Sequence, residues 1–587
     1  MKLTDYVVQY FEKQKITHVF GFQGGLIANM IDSCSKSDSI KYIQCYHEQT
    51  AAIAAEGYAR ETGKFGVALA SSGPGATNLI TGIANAYFDS IPVIYITGNV
   101  NTFEGRCKRK IRQLSCQETD IVSIVKYITK YATIINNPQI IKYELEKAIA
   151  VAMSGRKGPV LLDIPNDIQR SEIDLNKLVR YNETFQEKKV QEKKVQDICN
   201  ILKNSKRPMV ICGGGLQSNI KLQELVHVFL KKTKLPFVVS LMGKGSVDET
   251  LDNFCGMIGS YANRCANIVF SNADVVLALG TRLDARQTGN RKNDTFEKIR
   301  FIQVDVDPEV LKDNSIKNKI AINCDISVFL KHPEIQQLSI RSRQDWTSYV
   351  QSMKQNYSHD VELEHNFFKK EPYLAMKKIS NNATNNTVFV VDIGQNQQWA
   401  AQMLKLQKNQ RFFTAGGFAP MGYAIPTAIG IAFANPKRHI ICIVGDGGFQ
   451  ISLQALLLIS QYNLNITVVV LNNHCLGLIS QFQIAYFNSN MPGTVKECGY
   501  DVPDIKYIAK AVRLKYYYIN NISEDCLPKL SGGRLIEINL PELTSVVPKL
   551  EFNQPLYNMT PYLKEDEINE ILSFHKAGLI TNSNSMH

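Results

Sequence analysis

Two polar side chains near the C-terminal end are spaced to do chemistry. In the segment VGDGGFQISLQALLLISQYNLNITVVVLNNH (444–474), Asp446 sits in a Gly-Asp-Gly turn after one apolar run, and Asn473 ends the next. Both runs read as buried parallel strands. A carboxylate and a side-chain amide at two strand ends could hold one ion between them. The glycines of the turn, Gly445, Gly447 and Gly448, let backbone N–H groups and a helix start face phosphate oxygens. Magnesium takes hard oxygen ligands and usually shares them with phosphates, so one carboxylate, one amide, one backbone carbonyl and a diphosphate would satisfy it. GDGG alone is a common turn. GDG and NN closing consecutive strands, with the helical pattern SLQALLLISQYN between them, is far more specific.

Such a site needs strands that end together, and the chain supplies them. Strand and helix patterns alternate throughout, which predicts α/β layers with parallel sheets. FGVALA (65–70), PVIYIT (92–97) and PVLLDIP (159–165) read as buried strands of a first block. RPMVICGGG (207–215), VVLALGTRLD (275–284) and IRFIQVDVD (299–307) belong to a second, and TVFVVDIG (387–394), HIICIVGDGG (439–448) and ITVVVLNN (466–473) to a third. The polar stretches 183–198 and 341–366 separate the blocks, so three α/β domains are expected, over 1–180, 190–340 and 365–550. The terminal TNSNSMH reads as a disordered tail.

Bulk properties narrow the class. At 587 residues with 44% hydrophobic content, several cores can form. The formal charge of +12 is spread along the chain, with only short clusters such as RCKRKIR (106–112), and reads as a solvated surface, not a nucleic-acid face. Thirteen cysteines without a C-x-x-C pair point to reduced thiols and a cytoplasmic protein. No apolar run approaches the roughly 20 residues of a membrane span, and the amphipathic start MKLTDYVVQYFEKQ is not a signal peptide.

The Asp446/Asn473 pair resembles the magnesium–diphosphate signature of the thiamine diphosphate enzymes, and the resemblance extends over most of residues 1–550. YIQCYHEQTAAIAAEGYAR (42–60) is similar to that family's H-E-x-x-A pattern, while SSGPGATN (71–78) and TAGGFAPMGYAIPTAIGIA (414–432) resemble its acetolactate synthase branch. The resemblance implies Asp446, Asn473 and the Cys475 carbonyl as Mg²⁺ ligands. It implies Glu48 as the acid that activates the cofactor's aminopyrimidine, Gln117 (in CQETD) as the active-site glutamine, and Met421 as the residue that bends the cofactor. Gly24, Gly25, Gly73, Asn78, Gln395 and Asn396 would complete the cofactor site. In the middle domain, GGG (213–215), LMGKG (241–245), GTRLDARQTGN (280–290) and VDVDPE (304–309) resemble a flavin site, implying FAD held by Gly213, Gly214, Arg282, Asp284, Arg286, Asp305 and Asp325. A flavin-free scaffold is the alternative.

The chain also departs from the family. Cys116 replaces a phenylalanine, Asn396 a histidine, Asn166 a lysine and Phe482 a tryptophan, and GMIGSYANR (256–264) is altered. The resemblance places all of these around the acceptor pocket, and none touches cofactor activation. The resemblance therefore implies decarboxylation of a 2-ketoacid, pyruvate, and carboligation of the two-carbon unit to a second carbonyl, with acetolactate as the leading product. The rivals are a keto-sugar nucleotide acceptor, simple decarboxylation to an aldehyde, and a silent cofactor-binding subunit. A nicotinamide-dependent dehydrogenase is disfavoured because G-x-G-x-x-G after a strand is missing. A homodimer or homotetramer, and a possible small regulatory subunit, are implied; nucleic acid and membrane partners are not.

Overall fold

The computed structural model describes residues 1–106, 109–183, 188–289, 296–313, 315–364 and 369–572. Part of the basic cluster and of the first polar stretch, Asn290, the domain start at 365 and the terminal tail lie outside them.

Eighteen strands among these residues form three six-stranded sheets in which every pairing is parallel. The first contains β1 (His18–Gly21), β2 (Lys41–Gln44), β3 (Gly66–Ala70), β4 (Val93–Asn99), β5 (Tyr131–Ile134) and β6 (Val160–Pro165), in the order β2-β1-β3-β4-β6-β5. The second contains β7 (Pro208–Cys212), β8 (Phe237–Val239), β9 (Phe254–Met257), β10 (Val275–Leu279), β11 (Arg300–Asp305) and β12 (Lys319–Asn323), in the order β12-β11-β10-β7-β8-β9. The third contains β13 (Thr387–Val391), β14 (Arg411–Phe413), β15 (His439–Gly445), β16 (Ile466–Asn472), β17 (Lys515–Ile519) and β18 (Arg534–Asn539), in the order β14-β13-β15-β16-β18-β17. Sheets covered on both faces need continuous apolar strands, and β4, β13 and β16 are buried from end to end.

The first and third sheets share one strand order, and the second has the doubly wound order. In open parallel sheets, ligands bind beyond the carboxyl ends of the strands where the order reverses. Those points lie between β1 and β3, between β7 and β10, and between β13 and β15. The loops leaving these six strands carry Gly24–Gly25, Ser71–Gly73, Gly213–Gly215, Gly280–Arg282, Gly394–Asn396 and Gly445–Gly448. The topology thus gathers most of the sequence candidates at three strand-end crevices.

The first and third layers share one hydrophobic core. Their helices Glu48–Thr62 and Ala424–Ala434 pack at backbone distance: a Cβ on Gly57 would lie 2.3 Å from the Thr427 carbonyl oxygen, and one on Gly430 would lie 1.9 Å from that of Ala54. The polar stretch 341–366 is more than a separator. Its helix Gln344–Tyr357 buries Trp346, Tyr349, Val350 and Met353, a helical spacing, against the middle sheet. The segment after 550 also docks on the middle layer, where the Arg264 guanidinium donates to the carbonyls of Met559 (2.9 Å) and Pro561 (2.8 Å).

Candidate cofactor and active site

The register of β15 with β16 sets Gly445 beside Leu471, so Asp446 and Asn473 emerge from neighbouring strand ends. Asp446 is 2% exposed. Its Oδ1 accepts from the Gly447 N–H (2.7 Å) and the Tyr500 hydroxyl (2.8 Å), whereas Oδ2 is buried without a partner. Burial pushes this carboxyl up to about 6, against the opposing hydrogen bonds. Asn473 donates through Nδ2 to Gln395 Oε1 (3.2 Å) and Thr544 Oγ1 (3.1 Å), which leaves its side-chain oxygen on the other side of the amide. His474 turns the chain with a left-handed φ of 54° before Cys475, whose carbonyl accepts from Gly477 N (2.8 Å) and retains its second lone pair. No group of three His, Cys, Asp or Glu among the described residues could hold a metal by itself. One orphaned carboxylate oxygen, one amide oxygen and one carbonyl nevertheless form a set of hard donors that a divalent cation fits.

Around this set the third layer is tightly tied. Asp392, at the end of β13, is fully buried and accepts from the N–H groups of Ile393 (2.9 Å), Gly422 (3.0 Å) and Ala424 (2.8 Å); burial raises it to about 6. It thereby pins the loop carrying Met421, which adopts a left-handed φ of 59° at Ala419. Met421 Cε lies 2.9 Å from where a Cβ on Gly447 would stand, so the methionine tip packs directly over that glycine. Gln395 also donates to the Thr544 carbonyl (2.5 Å) and to Gln481 Oε1 (3.2 Å). Asn396 gives one N–H to the Asp392 carbonyl (2.7 Å).

The first layer offers a second cluster. Glu48 opens the helix Glu48–Thr62 behind His47, whose Nδ1 caps it by accepting from Gln49 N (3.1 Å). Glu48 Oε2 accepts from Asn78 Nδ2 (3.0 Å), and Oε1 overlooks the gap above Gly75. Gly24 abuts Ser71, while Gly25 borders open space. Gln117 is exposed and left-handed (φ 65°), a conformation costing about 1–3 kcal/mol and concentrated at functional sites. It packs on Gly73, which has a φ of 63° and where a Cβ would lie 3.1 Å from Gln117 Cβ. Asn99 braces both arms. Its Nδ2 donates to the Thr119 carbonyl (3.1 Å) and to Asp163 Oδ2 (2.7 Å), and its Oδ1 accepts from Ser72 Oγ (3.3 Å).

The two clusters open at different ends of one chain. The helix Glu48–Thr62 has 15 residues, about 22 Å at 1.5 Å per residue. Glu48 begins it. Near its other end Arg60 holds Asp89 (3.2 Å), which accepts from the N–H groups of Gly416 (3.2 Å) and Gly417 (2.7 Å) in the Met421 loop.

In the middle layer, Gly214, Gly215, Arg282, Asp305 and Asp325 line one groove shared with the first layer. Arg156 crosses it, meeting Asp307 Oδ2 (3.0 Å) and Ser90 Oγ (2.8 Å). Burial raises Asp305 to about 6. Asp325 caps the helix Ile326–Leu330 by accepting from Ser327 N (2.7 Å). Gly213 is needed for close packing, since a Cβ there would meet the Gly280 carbonyl oxygen at 2.2 Å. Asp284 and Arg286 are not in the groove. They line a smaller cleft with Gln398 and Gly416, where Asp284 pairs with Arg282 (3.1 Å) and Arg286 is exposed.

Of the residues expected at the acceptor pocket, Cys116 is exposed, and Asn166 is tied to Asn29 (2.8 Å) and Asn101 (3.3 Å). Phe482, 38% exposed, meets Tyr486 at a tilt and Phe487 edge to face. Asp392, Tyr500, Thr544, Asn99 and Asp163 were not singled out by the sequence. Asp392 had a signal, an acid ending the apolar run TVFVV; Tyr500 and Thr544 lie in loops without one.

Three parallel layers with glycine-rich strand ends fit the thiamine diphosphate enzymes. Family models agree: residues 1–124 match the N-terminal TPP binding domain of thiamine pyrophosphate enzymes, 195–332 the central domain and 392–534 the C-terminal TPP binding domain. The chain belongs to this family. It is 32% identical over 559 residues to the acetolactate synthase isozyme 2 large subunit of Escherichia coli (strain K12), covering 93% of this chain and 97% of that one. It is 34% identical over 501 residues to the acetolactate synthase large subunit of Cyanidium caldarium (82% and 83% covered). The large subunit from Lactococcus lactis is 32% identical over 522 residues (88% of each).

Proposed function

We propose that the chain binds thiamine diphosphate with Mg²⁺, decarboxylates pyruvate and joins the two-carbon unit to a second carbonyl, giving acetolactate when that carbonyl is another pyruvate. The observation that carries this is the buried, unpartnered Oδ2 of Asp446 beside Asn473, in a family whose relatives here are acetolactate synthase large subunits. Asp446 Oδ2, the Asn473 side-chain oxygen and the Cys475 carbonyl would hold the cation. Thiamine diphosphate supplies the electron sink for breaking and forming the carbon–carbon bonds. Glu48, fixed by Asn78, holds the proton at the pyrimidine end through Oε1. Met421 packs under the cofactor because Asp392 and Gly447 fix its loop. Gln117, held by its strained backbone, orients the reacting carbonyl, and Arg286 at the small cleft meets an anionic group at the site's edge.

Because Glu48 and the Asp446 cluster open at different ends of the chain, a complete site takes the first layer of one copy and the third layer of another. The proposed assembly is therefore at least a homodimer. The glycine-lined, basic groove at Arg156 and Arg282 suits FAD. A small regulatory subunit follows from the "large subunit" names of the relatives. The free thiols of the described cysteines suit the cytoplasm. A second reading keeps the donor chemistry and takes a keto-sugar nucleotide as acceptor. It is favoured by the open acceptor edge, with Cys116 exposed and Phe482 outside the core.

The test is a pyruvate assay with both cofactors, following carbon dioxide and acetolactate. Two pyruvates consumed per acetolactate support the first reading. No acetolactate from pyruvate alone, with turnover on adding a keto-sugar nucleotide, overturns it in favour of the second.

A further inference from the structure

We propose that Tyr500 is a positioning residue for the metal-binding carboxylate, turning Asp446 so that Oδ2 rather than Oδ1 is presented to the cation. The inference rests on the proposed reading of Asp446 as a ligand.

A free carboxylate offers two equivalent oxygens, and a ligand that can rotate loses part of its affinity to that freedom. Here the two oxygens differ. Oδ1 is saturated by the Gly447 N–H and the Tyr500 hydroxyl, and Oδ2 has no partner. The direction of the phenol proton follows from its neighbours. Gln450 Nε2, which can only donate, lies 3.4 Å from the Tyr500 oxygen, so the hydroxyl accepts from Gln450 and donates to Asp446. Gly447 keeps the path clear, since a Cβ there would come within 3.3 Å of the Tyr500 oxygen.

The loop that bears Tyr500 is itself anchored on the metal turn. Leu476 N, next to Cys475, donates to the Thr494 carbonyl (2.9 Å), and Tyr500 N donates to that of Val495 (3.1 Å). Thr494 Oγ1 donates to Gln483 Oε1 (2.7 Å) on the helix Gly477–Tyr486. One loop therefore reaches Asp446 through a side chain and the Cys475 turn through the backbone. Hydrogen-bonded partners of metal ligands typically contribute 10–100-fold in metal affinity.

The experiment is Mn²⁺ binding to the full chain with saturating thiamine diphosphate, read by electron paramagnetic resonance of the free ion. Tyr500→Phe removes only the hydroxyl. The expected result is Mn²⁺ binding weakened about 10-fold or more, with activity lost at limiting Mg²⁺ and recovered by excess. A dissociation constant within about twofold of the wild type would overturn the proposal. Gln450→Leu, which leaves the phenol in place and removes the group that orients its proton, should weaken binding by a smaller factor; equal binding in that variant also counts against it. An Asp446→Ala chain that binds Mn²⁺ as tightly as the wild type sinks the ligand reading itself and is distinguishable from failure of Tyr500 alone.

Discussion

On the proposed function, the cofactor end and the acceptor edge of this molecule are built on opposite plans. At the cofactor end, Asp392, Gln395, Asn396, Asp446 and Asn473 are all buried and each is hydrogen-bonded to the protein, while Asp446 Oδ2 is buried without a partner. At the acceptor edge, Cys116, Gln117, Arg286 and Phe482 are exposed. A buried polar network is costly to leave half-satisfied, so substitutions at the first end carry large penalties. Exposed groups can change at little cost in stability. On that reading, the difference leaves the chemistry to the interior and the choice of second substrate to the surface.

The sharpest way to break this comparison is at the cofactor end. Asp446→Ala should reduce activity by more than the 10–100-fold typical of outer partners, and Glu48→Gln should be similarly inactive, with both proteins folded by circular dichroism. Mixed, the two inactive chains should regain part of the activity, because one site in a mixed dimer pairs an intact Glu48 with an intact Asp446. No recovery from a verified mixed dimer would put both halves in one chain.

Next comes Asp392, the anchor of the Met421 loop. Asp392→Ala strands three buried N–H groups, each costing about 1–3 kcal/mol unsatisfied. A loss on the order of 3 kcal/mol in denaturant unfolding is expected, together with weaker thiamine diphosphate binding by fluorescence titration. A variant as stable as the wild type would mean that the ring of bonds around Asp392 is not what holds the loop.

Legibility in the sequence follows the same division. The three α/β layers were readable because strands buried on both faces must be continuously apolar, as TVFVV and HIICIVG are. The places of Asp446 and Asn473 at strand ends and of Glu48 at a helix start were readable because glycine turns and helix starts mark such points locally. The equal strand order of the first and third sheets, which puts the candidates at matching crevices, depends on which strands pair, and no local pattern encodes that. Tyr500 and Thr544 reach Asp446 and Asn473 from other loops, so their contacts needed coordinates. The division of the flavin-like residues was hidden for the same reason: Arg282 borders both the groove and the small cleft, whereas its sequence neighbours Asp284 and Arg286 line the cleft alone.

The acceptor edge still has one buried footing, and its pH dependence can sharpen the comparison. Asp163 is 1% exposed and accepts from Thr97 Oγ1 (2.7 Å) and Asn99 Nδ2; burial raises its carboxyl from 3.8 to about 7. Between those values the unfolded chain releases the proton while the folded chain keeps it. Its contribution therefore favours folding most at low pH, declines as pH rises from about 4 to 7, and changes no further above that. Relative to Asp163→Asn, which cannot titrate, wild-type stability should fall on the order of 4 kcal/mol across this window, about 1.4 kcal/mol for each pH unit. A difference independent of pH would show that Asp163 keeps an ordinary carboxylate's titration in the fold.

The smallest effect is expected at Phe482, and it tests the surface half of the comparison. The ring is held by Tyr486 at 4.8 Å and Phe487 at 5.6 Å between centroids, and the neighbouring Phe552 is 67% exposed. A larger side chain therefore has room to grow outward without disturbing the core. Gln481, the adjacent residue, faces inward and accepts from Val546 N (2.9 Å), so the helix keeps its register when position 482 changes. Phe482→Trp should leave the melting temperature and thiamine diphosphate affinity within experimental error. It should shift the ratio of kcat/KM for two competing acceptors by about 2- to 10-fold, the range set by small changes in a hydrophobic contact. If cofactor affinity moves instead and the acceptor ratio does not, the two ends are coupled through the helix Gly477–Tyr486, and the separation of chemistry from specificity fails.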